Sequence, residues 1–188
     1  MSRTLATQLA EQLSWHWENQ LRPRLNNLSD EEYFWEPVPR AWNVRRRGET
    51  LKNVGQRGSG EFLIDFEHPP PYPAPVTTIA WRLGHVITGV LGERNASHFN
   101  GPAVDQRDYP YPGTAADALE QLDEAYQRWI SAVSALDEQA LAAPCGDAEG
   151  EHFGQFPLSD LILHINREVI HHGAEVSLLR DLYRHGLR

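Results

Sequence analysis

Residues 157–183 read PLSDLILHINREVIHHGAEVSLLRDLY, and the phase of the residues within this stretch decides the fold. Pro157, Leu158, Ser159 and Asp160 open a helix that can run to Tyr183. Taking about 100° per residue, Leu161, Ile165, Val176 and Leu179 fall within about 40° of His172, so His172 is centred on the core stripe. Glu168 lies about 40° to the other side and also faces inward. His164 sits about 80° off, at the edge, and His171 about 100° off, outside it. A carboxylate one turn before a histidine, both facing a core, is costly unless a cation or a donor satisfies both. Two readings meet that condition. Either a divalent ion binds there, or Glu168 pairs with an arginine from another helix while His172 is a hydrogen-bonded core histidine.

Three more helical stripes precede this one. Leu5, Leu9, Leu13, Trp17, Leu21 and Leu25 recur every fourth residue, marking a long first helix with a kink or break expected at Pro23. Ser29-Asp30-Glu31-Glu32 reads as a new N-cap with acids in the first turn. Thr77 or Thr78 caps a second helix to about His98, with Ile79, Leu83, Val86, Val90 and Leu91 inward, and Asn100-Gly101-Pro102 ends it. Thr114, with Asp117 three residues on, opens a third, carrying Leu119, Leu122, Tyr126, Trp129, Val133 and Leu136. Between Pro37 and Thr77 lie seven prolines, five of them from Pro69 to Pro75. Phe62–Phe66 could be a short strand but nothing nearby reads as its partner, so an ordered loop is predicted. Residues 137–156, with Pro144, Gly146, Gly150 and Gly154, read as a loop with one helical turn. The expected fold is all-α, a single domain over 1–188: a four-helix bundle with a long crossover loop between helices 1 and 2.

Composition narrows the function. A formal net charge of −9 argues against a duplex nucleic-acid binder, which needs a basic face. The dense basic cluster Arg45, Arg46, Arg47 reads as a solvated turn. The single cysteine, Cys145, excludes a disulfide framework and fits a reducing cytosol. Residues 1–11 show no signal-peptide pattern, and no apolar run approaches the roughly 18–20 residues of a membrane span. A soluble, cytoplasmic protein with no nucleic acid and no membrane partner is expected.

Nine histidines are the chemically suggestive feature, since imidazole is both a common metal ligand and a general base. His164 and His172 stand about 12 Å apart along the helix axis, too far to share one ion. Glu168 and His172 can chelate together. A third ligand must come from another helix, and His85 is the candidate. It lies about 140° from the main apolar side of its helix, on a side with Thr78, Trp81, Thr88, Gly89, Gly92 and Ala96 and no charge. A half-buried His85 stacked on Trp81 is the competing reading. His16, His68, His98, His152 and His185 have no comparable surroundings.

Three segments resemble the DinB-like superfamily, which includes the mycothiol-dependent maleylpyruvate isomerases. They are residues 28–37 with 41–45, residues 78–86 around Trp81 and His85, and residues 166–175 around His172. In order and spacing they cover most of the chain. The resemblance implies a divalent metal, zinc or nickel, held by His85, Glu168 and His172, with His164 and Trp81 supporting the ligands. Glu168 stands where the family's H-x-x-x-H motif has its first histidine, and a carboxylate can still ligate.

The resemblance further implies a thiol-dependent S-transferase or isomerase acting on a small-molecule electrophile, with mycothiol or bacillithiol as cosubstrate, in a homodimer. A metal-dependent hydrolase, or a non-catalytic stress or binding protein with a structural or vestigial metal site, are the alternatives.

Overall fold

The computed structural model describes residues 3–187. The Thr4 side chain accepts the Thr7 N–H and opens α1 (Leu5–His16). The helix continues through a π-helical stretch, Trp17–Leu21, into the short α2 (Arg22–Arg24). The expected break at Pro23 is thus a widened turn placed just before it. Proline has no N–H to give and crowds the carbonyl four residues back, and an extra residue per turn relieves that crowding. The Ser29 hydroxyl then accepts the Glu32 N–H at 3.2 Å to cap α3 (Asp30–Tyr33).

The next segment corrects the all-α expectation. Val44–Arg46 (β1), Gly55–Arg57 (β2) and Phe62–Phe66 (β3) form an antiparallel sheet in the order β1-β3-β2, with Val44 opposite Ile64 and Gln56 opposite Asp65. Phe62–Phe66, predicted as a loop without a partner, is its central strand. The two partners are three residues each, too short to show alternation. A single carboxylate holds them together. Asp65, 0% exposed, accepts from the Asn43 N–H at 2.9 Å, Arg45 Nε at 2.8 Å and Gln56 Nε2 at 3.2 Å. Arg45 also reaches Glu36 at 2.7 Å. The solvated-turn reading of the three arginines therefore fails at Arg45, which is consumed by a buried ion pair. Arg46 pairs with Glu61, and Arg47 donates to the carbonyls of Ser59 and Gly60.

Thr78 caps α4 (Ile79–His85), which passes through a second π-helical stretch, Val86–Gly92, into α5 (Glu93–Phe99). Asn100 ends it in the left-handed conformation, φ 53°. Thr114 caps α6 (Ala115–Ser134) and Asp137 caps α7 (Glu138–Ala142). A 3-10 turn (Asp147–Glu149) and α8 (Gly150–Phe153) precede α9 (Leu158–Arg184).

The fold is mostly helical. α1 packs on α6 and α9, and the π stretch Val86–Gly92 packs on the same two helices. Leu13, Leu91, Leu122, Trp129, Ile162 and Ile165 fill the space between them, and Trp17 stacks on Tyr126 at 3.9 Å. Buried Asn166 ties three helices together: its Nδ2 donates to Leu9 O at 2.8 Å and its Oδ1 accepts from Trp129 Nε1 at 3.1 Å. A Cβ at Gly173 would stand 2.8 Å from Leu21 Cδ2, so a larger residue there would push the Leu21 side chain aside where the π stretch Trp17–Leu21 packs on α9.

Arg180, 1% exposed, is the largest buried polar commitment. Its guanidinium meets both Glu32 oxygens, at 2.6 and 3.0 Å. It also donates to the carbonyls of Arg24, Asn26 and Asn27, at the end of α2 and just beyond it. A cation at a helix C-terminus and acids in the first turn of α3 both complement helix dipoles. Among the described residues no helix is long and apolar enough to cross a membrane.

Candidate metal centre

The sheet positions the first ligand candidate. Trp81 Nε1 donates to Asp65 O at 2.8 Å, which fixes the indole, and His85 stacks on it at 5.4 Å with 25° between planes. The stacking on Trp81 is the competing arrangement the sequence offered, and the same ring also meets His172 edge-on, centroids 4.9 Å apart. The π stretch begins at the next residue. Such widened turns recur at functional sites because they re-aim the side chains beside them. Within it Gly89 gives His85 its room: a Cβ there would lie 3.2 Å from His85 Nδ1 and 2.9 Å from Gln106 Nε2.

His172 is 6% exposed, as its phase predicted, and a carboxylate stands near each of its ring nitrogens. Nδ1 lies 2.7 Å from Glu175 Oε2, while Arg82 Nη1 lies 3.4 Å from the same nitrogen. One nitrogen cannot both donate to a carboxylate and accept from a guanidinium. The shorter, charge-assisted contact decides, so Nδ1–H donates to Glu175. Arg82 Nε in turn stands 3.0 Å from Glu175 Oε2 and holds that carboxylate in place. Nε2 is left with its lone pair, 3.5 Å from Glu168 Oε2. A histidine whose far nitrogen is bound by a carboxylate is the usual arrangement behind a metal ligand, since it fixes tautomer and ring orientation.

Burial sets the charge state. It pushes His85 down to about 4, helped by the positive potential of His172, Arg82 and Arg94. It also lowers His172, against the raising effect of Glu175. Both rings are neutral near pH 7, the form that ligates a metal. A stability consequence follows for chelator-treated protein. An unfolded histidine takes its proton near 6.5, whereas folded His85 refuses it until about 4. The unfolded state therefore binds more protons in that window, and stability falls as pH drops through it, by up to about 3 kcal/mol. Urea unfolding at pH 7 and pH 4.5 is expected to show a smaller acid loss in His85→Asn than in the native chain.

His85 and Glu168 thus each approach His172. Among the described residues, the group whose ligand atoms all lie within 4.8 Å of one another is a different one, His171, His172 and Glu175. These two candidate sets share His172 and compete for it. His171 has 62% of its side chain exposed and reaches Glu175 Oε1 only at 3.6 Å. Ligation there would use His172 Nδ1, breaking its bond to Glu175 and placing the ion beside the Arg82 guanidinium. The positive potential of Arg82 reaches His85 as well as His172, and each set includes one carboxylate, so the two differ chiefly in which nitrogen of His172 they use.

Of the predicted supporting residues, Trp81 holds His85, and His164 lies 3.8 Å from Glu168 Oε1 with its side chain 46% exposed. Glu175 and Arg82 received no role from the sequence. Their signal was spacing: Glu175 is three residues after His172, and Arg82 three before His85, each on the same helical face as its histidine. His98, also given no role, contacts Glu149 at 2.9 Å, both side chains buried. Cys145 sits with Sγ 3.5 Å from Pro157 O, and burial raises its pKa.

The sequence profile of the DinB superfamily matches residues 12–176. No curated protein and no solved structure matches the chain. The profile match spans every residue of both candidate ligand sets, and on it the chain belongs to the DinB superfamily.

Proposed function

We propose that this protein is a divalent-metal-dependent enzyme that activates a small cellular thiol for transfer to, or isomerisation of, an electrophilic small molecule. The observation that carries the metal reading is the fixed tautomer of His172: Nδ1 is committed to Glu175 at 2.7 Å and Nε2 is offered toward Glu168 at 3.5 Å. His85, Glu168 and His172 are the proposed ligands, two neutral imidazoles and a carboxylate, a set suited to zinc or nickel. Three protein ligands leave positions open to a substrate. A bound ion would supply Lewis acidity and lower the pKa of a coordinated thiol or water.

The chain's own residues support an external thiol over an internal one. The raised pKa of Cys145 and its hydrogen bond to a carbonyl make it a poor nucleophile. His164, exposed beside Glu168, stands where a released proton can pass to solvent. The same reading takes the long helices as a four-helix bundle with residues 37–77 as the crossover.

Metal-loaded protein mixed with mycothiol, bacillithiol or glutathione and a panel of electrophiles is expected to consume thiol faster than the His172→Ala variant. No rate above that control across the panel would overturn the thiol assignment. Thiol-independent turnover of esters or amides would replace it with hydrolysis.

A further inference from the structure

A cleft of about 380 Å³ runs beside the proposed centre, between α5, α9 and residues 145–156. Phe153, Phe156 and Leu161 line it, with His164 and Arg167 along α9 and Asp160 near the start of that helix. Phe153 and Phe156 are 63% and 41% exposed, which wastes apolar surface unless something covers it. The segment bearing these aromatics is anchored. Glu149 accepts from Arg94 Nη2 at 3.2 Å and contacts His98 Nε2 at 2.9 Å, and the Cys145 N–H donates to Phe156 O at 2.9 Å. The segment that carries the two phenylalanines is thereby tied to α5, and their rings meet with centroids 6.1 Å apart.

The charges in the cleft are unequal. Arg94 is neutralised by Glu93 and Glu149. Among the described residues Arg167 faces no carboxylate at ion-pair distance and donates only to His164 Nδ1, at 2.7 Å. Of the two arginines that line the cleft, Arg167 is therefore the one left to meet an anion. Asp160 lies seven residues before Arg167, roughly 10 Å along the axis, and would repel an anion from the far end. His164 is four residues, roughly 6 Å, from Glu168.

We infer that this cleft binds the electrophile, a small carboxylate with an aryl or alkyl tail. Its anionic head lies on Arg167 beside the metal centre, and its tail lies against Phe153, Phe156 and Leu161. The inference rests on the proposed function for the identity of the ligand as substrate. Binding itself needs no metal, so the two can fail separately.

The test uses 3-phenylpropanoate and its neutral amide, 3-phenylpropanamide, titrated into the EDTA-treated chain by saturation-transfer NMR. With metal removed, a carboxylate cannot score by ligation. The acid is expected to bind about fivefold tighter than the amide, the size of one partly exposed charge-assisted contact. Arg167→Met should erase that preference, and Phe156→Ala should weaken acid and amide alike. Equal affinity for the two probes, a preference that survives Arg167→Met, or no saturation transfer to either probe would each overturn the inference. Loss of metal in a separate assay, with this preference intact, would sink the proposed function and leave the cleft as a carboxylate site.

Discussion

Arg180→Ala is expected to destabilise the protein by about 3–5 kcal/mol, the cost of breaking a buried ion pair from one side. The loss is large because the partners cannot recover. Glu32, with 4% of its side chain exposed, would be left as a buried charge. The carbonyls of Arg24, Asn26 and Asn27 would lose their common donor. Arg184 reaches Glu32 only at 3.9 Å and is half exposed, so it compensates weakly. At this chain length the melting temperature should fall by roughly 10 °C. The double variant Arg180→Met with Glu32→Leu should be more stable than Arg180→Ala, because it removes the orphaned charge as well. A loss under about 1 kcal/mol for Arg180→Ala, followed by urea unfolding, would show that the clamp is not what joins α9 to the end of the first helix.

Glu175→Ala is expected to weaken metal binding by about 10- to 100-fold, the usual effect of removing the carboxylate behind a histidine ligand. The tautomer explains the size. With Glu175 gone, Arg82 Nη1, already 3.4 Å from His172 Nδ1, becomes the nearest partner of that nitrogen. A guanidinium can only donate, so the ring proton moves to Nε2, which then cannot ligate. Glu175→Gln should cost less, because its amide oxygen can still accept from Nδ1–H. If Glu175 is itself a ligand, in the set with His171 and His172, the glutamine variant should lose nearly all the metal instead. Competition with a chromogenic chelator measures both.

The long helices were legible because their signals are local and repeated. Apolar residues recur every fourth position along α1, and Thr78 and Thr114 cap their helices through side chains placed as expected. Phase alone put His172 inside and His171 outside, and the structure agrees, with side chains 8% and 62% exposed. The sheet was not legible. Its cohesion comes from Asp65 reaching residues nine and more positions away, and three-residue strands carry no period of their own. The π stretches left no trace in the stripes, although the second one borders His85. The Arg180–Glu32 clamp joins residues 148 apart, a pairing no spacing rule anticipates. Glu175 was recoverable in principle, three residues from His172 on the same face, but one turn of a helix offers several such carboxylates and only the Arg82 contact singles it out.

The most direct measurement is metal content by mass spectrometry on the purified chain, tag removed and reconstituted with zinc or nickel, beside His85→Ala, His171→Ala and His172→Ala. The expected result is near one ion per chain in the native protein and in His171→Ala, and almost none in His85→Ala and His172→Ala. Metal retained in His85→Ala but lost in His171→Ala would contradict the His85, Glu168, His172 centre and place the ion on the outer set. Little metal in any of the four proteins would remove the metal from the proposed function altogether.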